Sequence, residues 1–150
     1  GLVGSEMCIR DRASFPQTGR YNTDCVYDME GWRENYPGFL WCSEKDVMGV
    51  KNWYVPCQRE MWLLYEAYSG VKGEDRPSDE EVMKNKQKFN NSLEQNGGVS
   101  MTDVVYWTSD ECSAQMAYAF DMKAGAVVEM PQELDKGLKY RFRAMADFKF

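Results

Sequence analysis

The chain has 150 residues, a formal net charge of -6 and no histidine. An acidic chain is unsuited to a nucleic-acid surface, which needs a basic patch, and the absence of histidine excludes catalytic arrangements that use an imidazole as base. With 43% hydrophobic and 14% aromatic residues, the chain fits one globular domain that buries a core without a metal.

Residues 1–12 resemble the translated read-through of a sequencing-library adapter. We therefore interpret them as a non-native segment and exclude them from fold reasoning, as one excludes tags and fusion scars. The expected domain is 13–150, with its core at about 39–148, and we expect it to be the C-terminal part of a longer protein. The segment 13–41 shows no clear period, and Phe39–Val47 is predicted to form a short helix that ends near Gly49.

Two longer helices are predicted in the middle of the chain. The first follows Pro56, because Met61, Leu64, Tyr65 and Tyr68 fall at helical spacing and Gly70 provides a stop. Cys57 and Glu60 stand at the positions of a capping box whose first member is a weak acceptor. The second helix begins with Ser78 and Glu81, a full capping box, and is predicted to run to about Gln95. Its thin apolar stripe comprises Val82, Met83, Phe89 and Leu93.

From Val104 onward the period changes to two, which is typical of strands. Met116–Asp121 and Ala126–Met130 are predicted to form a hairpin about the turn at Lys123-Ala124-Gly125, and a last strand is predicted over Leu138–Phe148. The predicted fold class is therefore α+β, with two helices packed on a small antiparallel sheet with long loops.

The cysteines outside the adapter-like segment are Cys25, Cys42, Cys57 and Cys112. They contain no CxxC pair, so a structural zinc site is not expected. One or two disulfides or buried free thiols are both compatible with this set, and the pairing stays open. The sequence indicates no metal, no cofactor and no catalytic set.

An ordered series of motifs carries a family resemblance. The series is Trp53-Tyr54-Val55-Pro56 with Glu60 and Met61, Gly97-Gly98, Tyr106-Trp107-Thr108-Ser109-Asp110-Glu111, Met116–Asp121, and Phe142-Arg143-Ala144-Met145-Ala146-Asp147-Phe148. This order resembles the C-type-lectin-like domain at the C-terminal end of collagen-like adhesins and fimbrillin-type surface proteins of gut bacteria. Two positions depart from the family pattern. Ala144 stands where the family often has a cysteine, so the disulfide for which Cys42 would be the partner cannot form, and Ala146 replaces an arginine.

The resemblance implies a noncatalytic ligand-binding or adhesion module of an exported bacterial surface or pilus-associated protein. Its partner would be a host or bacterial surface protein or a glycan, with no nucleic acid and no membrane insertion of the domain itself. The calcium-dependent sugar-binding signatures of animal C-type lectins are not found. Two alternatives stay open. One is a phage receptor-binding variable protein, and the other is an enzyme of the formylglycine-generating type, which has a related fold and would use Cys57 and Cys112.

Functional and structural residues are expected to separate. Trp53, Pro56, Glu60, Tyr106, Trp107 and Arg143 are interpreted as structural, since tryptophans bury large areas and Glu60 caps a helix. The ligand is expected at polar loops, because loops on a rigid scaffold carry function. These loops are the one after Trp107, with Ser109, Asp110, Glu111, Ser113 and Gln115, and the one at Pro131–Gly137, with Gln132 and Glu133. A helix dipole acting on Cys57 would favour a reactive thiolate.

Overall fold

In a computed structural model, the chain is described for residues 18–111, 116–131 and 141–146. The helices of this part are α1 (Gly19–Tyr27), α2 (Trp32–Asn35), α3 (Pro37–Glu44), α4 (Gln58–Ser69) and α5 (Asp79–Gln95). The strands are β1 (Trp53–Tyr54), β2 (Val105–Glu111), β3 (Met116–Asp121), β4 (Ala126–Pro131) and β5 (Met145–Ala146). The α+β class is confirmed. The expectation of two helices on one sheet was too simple, because three further helices and a second small sheet are present.

The N-terminal part is helical where we predicted irregular structure. Helix α1 begins after Thr18, whose hydroxyl accepts the Tyr21 N–H at 3.1 Å as an N-cap. Helices α1, α2 and α3 have only 9, 4 and 8 residues, so an apolar stripe cannot repeat and each helix depends on tertiary packing. The short helix predicted over Phe39–Val47 exists but lies earlier in the chain, because a proline at its first position starts it.

Helices α4 and α5 match their predictions closely. Gly70 ends α4 with a left-handed φ of 79°, and the Ser78 hydroxyl accepts the Glu81 N–H at 3.2 Å to begin α5. Of the predicted α4 stripe, Met61, Tyr65 and Tyr68 are buried, and Leu64 is partly buried against them. The prediction that Met83 belongs to the apolar stripe of α5 is wrong, since Met83 is 72% exposed.

A three-stranded antiparallel sheet runs in the order β2-β3-β4 and contains the predicted hairpin, with Tyr106 opposite Phe120 and Phe120 opposite Val127. Strands β1 and β5 form a separate antiparallel pair. The prediction of a long final strand is wrong within residues 141–146, where only Met145–Ala146 forms a strand. Arg141 makes an isolated parallel bridge to Tyr106. The other residues of that predicted strand lie outside the described residues.

The sheet is covered on both faces because side chains alternate along each strand. On one face Tyr106 and Phe120 pack with α4 and α5, in the cluster Met61, Tyr65, Tyr68, Val71, Val82, Met101, Tyr106, Phe120 and Met122. On the other face lie Trp107, Ala117 and Ala119. A further cluster joins α1, α2 and α3 to the segment after β1 and contains Val26, Trp32, Phe39, Cys42 and Val55. Within the ranges given above, no helix has the length and apolar character to cross a membrane.

Candidate functional site

The residues predicted to follow Trp107 in an exposed loop belong to a strand instead. Strand β2 continues through Glu111, and Ser109 is only 1% exposed. The backbone N–H of Ser109 donates to the Pro56 carbonyl at 2.8 Å, which fixes the end of β2 against the start of α4. The loop assignment of Ser109, Asp110 and Glu111 is therefore wrong. Their binding of a ligand stays a prediction, and Ser113, Gln115, Gln132 and Glu133 lie outside the described residues.

Asp110 is placed as a cap for helix α4. Its Oδ2 accepts the backbone N–H of Gln58, the first residue of α4, at 2.7 Å, and its Oδ1 accepts from the Asn22 amide at 3.1 Å. The same amide donates to the Ser109 hydroxyl at 3.2 Å. A carboxylate at a helix N-terminus is favoured both by the free N–H groups and by the helix dipole. These contacts give Asp110 a structural function that its polar sequence context did not indicate.

Glu60 is a second carboxylate at the same helix end, and its predicted capping role is confirmed. Its Oε1 accepts the N–H of Cys57 at 3.0 Å and the N–H of Gly19 at 2.8 Å. Its Oε2 accepts from the Tyr54 hydroxyl at 3.3 Å. One side chain thereby caps α4 and ties the start of α1 to it. Asp110 and Glu60 thus both accept backbone N–H groups at the start of α4.

Cys57 is not the reactive thiolate that its position at a helix start suggested. Burial raises the pKa of the Cys57 thiol to about 11 and that of the Cys42 thiol to about 12, because the charged form loses its hydration. Both are buried free thiols, whereas Cys25 is disulfide-bonded. The expectation of a depressed pKa at Cys57 is wrong, because desolvation by burial outweighs the backbone hydrogen bond at Glu60 that lowers the pKa. Cys112 lies outside the described residues.

The predicted structural residues divide by burial. Pro56, Tyr106 and Trp107 are buried as expected for core positions. Arg143 is half-buried, and burial lowers the pKa of its guanidinium. Trp53 is also half-buried: it packs against the α1–α3 cluster, and its indole N–H donates to the Val50 carbonyl at 2.8 Å. The indole of Trp53 is thus held in a fixed orientation with part of its ring accessible.

A surface that the sequence did not single out lies beside Trp53. The Lys45 ammonium lies over the ring of Trp41, 5.0 Å from its centroid, and over the ring of Trp53, 5.3 Å from its centroid. Trp41 is 45% exposed. We group with them Met48, because it lies in the Val47–Val50 turn whose Val50 carbonyl accepts the Trp53 indole N–H. We call Trp41, Lys45, Met48 and Trp53 the tryptophan–lysine face.

Met48 stands at the tip of a tight turn. Val47 and Val50 exchange both backbone hydrogen bonds, at 3.1 and 2.9 Å, and the central residues Met48 and Gly49 have φ of 53° and 84°. Two positive φ angles are the requirement of a type I′ turn, which favours Asn-Gly. Asp46 braces the turn by accepting the Gly49 N–H at 2.9 Å. Methionine in this conformation is strained, yet its side chain is 88% exposed.

Two features of the sequence are signals for this face. Trp41 and Lys45 are four residues apart, the spacing that brings side chains together on a helix. Met48-Gly49 occupies a turn position where asparagine would be ordinary. Both signals are weak in isolation, because they depend on Trp53, which joins the face only through the fold.

Neither the surface cavity nor the acidic side chains of the described part provide a second site. A surface cavity of about 410 Å³ is lined by Lys84, Gln87, Lys88, Asn91, Ser92 and Gln95, all from α5. Residues of a single helix face do not enclose a ligand as binding pockets do. Among residues 18–111, 116–131 and 141–146, no group of three or more acidic or cysteine side chains is placed to hold a metal ion.

Comparison with known proteins gives no relative. No protein-family profile, no curated protein and no solved structure matches the chain.

Proposed function

We propose that the protein is a noncatalytic binding module of the C-type-lectin-like kind, which serves adhesion in a bacterial surface or pilus-associated protein. The observation that carries the proposal is Met48, a large apolar side chain that is 88% exposed on a strained turn. Strain of this kind costs on the order of 1–2 kcal/mol. An exposed methionine side chain makes no buried contact that would offset this cost. We therefore attribute the presence of methionine at this position to a contact with a partner.

The surroundings of Met48 suit a contact surface. The turn is rigid, since its own hydrogen bonds, Asp46 and the Trp53 indole all hold it. The end of α5 borders it, because a Cβ added at Gly97 would lie 3.4 Å from the Met48 sulfur. A rigid surface with aromatic anchors loses little conformational entropy on binding.

Three structural features agree with the proposal. Cys42 and Ala144 belong to the same core cluster, so the position where the family often has a cysteine lies in the cluster that contains its expected partner. The mixed α+β architecture also agrees with the fold that the motif series implies. The disulfide at Cys25 is of a kind that persists in oxidising compartments, which agrees with an exported domain.

The properties of Cys57 argue against the enzymatic alternative, in which this cysteine would be a reactive thiolate. A cysteine nucleophile or oxidant needs a populated thiolate, and burial holds the pKa of Cys57 at about 11. The Cys57 side chain is also buried at the start of α4, with only 3% of its surface exposed.

Adhesion of protein-coated beads to cultured epithelial cells and to bacterial cells tests the proposal. We expect Met48→Asn to reduce bead retention at least fivefold, because it removes the apolar tip while giving the turn its preferred residue. Met83→Gln is the matched control, since Met83 is 72% exposed about 20 Å along α5 from Gly97. Retention that is equal for wild type and Met48→Asn, or absent for wild type on every cell tested, would contradict the proposal.

A further inference from the structure

The ammonium group of Lys45 is the feature of the tryptophan–lysine face that indicates a ligand class. It lies over two indole rings, and within the described part of the chain it takes part in no ion pair. Cation–π contact stabilises the charge but uses none of its three N–H donors. The ammonium therefore offers donors to solvent from a half-buried position.

The neighbouring carboxylates do not neutralise this charge. Asp46 pairs with Lys51 at 3.9 Å and accepts the Gly49 N–H, so its oxygens are directed into the turn. Glu44 is exposed and solvated at the end of α3. A half-buried cation without a carboxylate partner favours an anionic ligand group, because a charge-assisted hydrogen bond is stronger where water is partly excluded.

Trp41 and Trp53 give the ligand a second property. Their rings flank the ammonium, and Trp41 in particular has a large accessible face. An indole face packs well on a flat ligand surface made of C–H groups, while hydroxyl groups at the rim remain solvated. A pyranose ring has such a C–H face and also carries hydroxyls.

We infer that the tryptophan–lysine face binds an acidic oligosaccharide, with a sugar ring packed on Trp41 and its carboxylate or sulfate paired with Lys45. This assignment rests on the proposed binding function and names its ligand class. The site uses no metal ion, since the charge is supplied by Lys45. An acidic peptide such as polyglutamate would satisfy the charge but has no flat, rigid C–H face to pack on the indole.

Titration calorimetry with four soluble probes tests the assignment: 3′-sialyllactose, lactose 3′-sulfate, neutral lactose and a hexaglutamate peptide. We expect at least one acidic sugar to bind tenfold or more tightly than lactose and hexaglutamate, and the stronger of the two shows whether carboxylate or sulfate is preferred. Lys45→Met should remove this preference while Lys45→Arg retains it, because only the charge is lost in the first variant. In nitrogen-15 spectra, the Trp41 indole signal should move on binding.

Each outcome has a distinct meaning. Equal affinity for lactose and both acidic sugars, an unchanged preference in Lys45→Met, or equal binding of hexaglutamate would overturn the assignment. If neither acidic sugar binds but cell adhesion remains sensitive to Met48→Asn, the ligand class is wrong and the binding function stands. If adhesion is also insensitive to Met48→Asn, both the ligand class and the binding function are refuted. Circular dichroism of each variant verifies that the fold is intact.

Discussion

Asp110 gives the sharpest test of the structural account, because its sequence context suggested a ligand residue and its contacts indicate a helix cap. Asp110→Ala removes the acceptor of the Gln58 N–H at 2.7 Å and of the Asn22 amide at 3.1 Å. It also removes a negative charge from the α4 N-terminus. A lost cap costs about 1 kcal/mol, and a buried donor left without a partner costs about 1–3 kcal/mol.

We therefore expect Asp110→Ala to lower the free energy of unfolding by about 2–4 kcal/mol. At about 2–4 °C for each kcal/mol in a chain of this size, Tm should fall by about 4–16 °C. Asp110→Asn should lose about half as much, because one acceptor oxygen remains while the charge at the helix end is lost.

Urea unfolding followed by circular dichroism measures the effect, with an unchanged m-value as the sign that the folded state is otherwise the same. Glu129→Ala is the matched control, since this carboxylate is exposed on β4 and its loss should change stability by less than about 0.5 kcal/mol. If Asp110→Ala unfolds within about 0.5 kcal/mol of the wild type, Asp110 is not a cap and the reasoning about α4 is refuted.

Three further predictions follow from the same structure. Met48→Asn should raise the free energy of unfolding by about 1 kcal/mol in the same urea assay, because asparagine tolerates the left-handed φ of 53°; a loss of stability would show that the turn is unstrained. Glu60→Ala should cost about 2 kcal/mol and Glu60→Gln clearly less, since glutamine keeps an oxygen for the Cys57 and Gly19 N–H groups; equal losses would contradict the capping role. Burial raises the pKa of Cys57 from about 9 to about 11, so its contribution to stability is present below pH 9 and is lost as pH rises towards 11. Iodoacetamide should therefore alkylate Cys57 of the folded protein only slowly at pH 7.5. Rapid labelling of Cys57 would restore the case for a nucleophile.

The sequence predicted the elements whose signals are local. Helices α4 and α5 carry capping residues and repeated stripes, and the β3–β4 hairpin carries a period of two about Gly125. Helices α1 and α2 were missed and α3 was predicted too late in the chain, because each is too short to repeat its pattern. Their stability comes from contacts such as the bond from the Gly19 N–H to Glu60, 41 residues away.

The candidate site was harder to predict than the fold, because it is assembled from distant contacts. Asp110 looks like a loop residue until the end of β2 is seen to meet α4. Lys45 looks like an ordinary surface lysine until Trp53 is placed beside it. Residue type and spacing indicate polarity, but they do not indicate which polar groups are already satisfied by another part of the chain.

The central claim is that ligand is bound at the tryptophan–lysine face and not at the end of β2. The most direct measurement compares cell adhesion of beads coated with Met48→Asn and with Glu111→Gln, at a temperature where circular dichroism shows both variants folded. The account predicts that Met48→Asn loses adhesion at least fivefold while Glu111→Gln adheres like the wild type. Loss of adhesion in Glu111→Gln with full adhesion in Met48→Asn would contradict it.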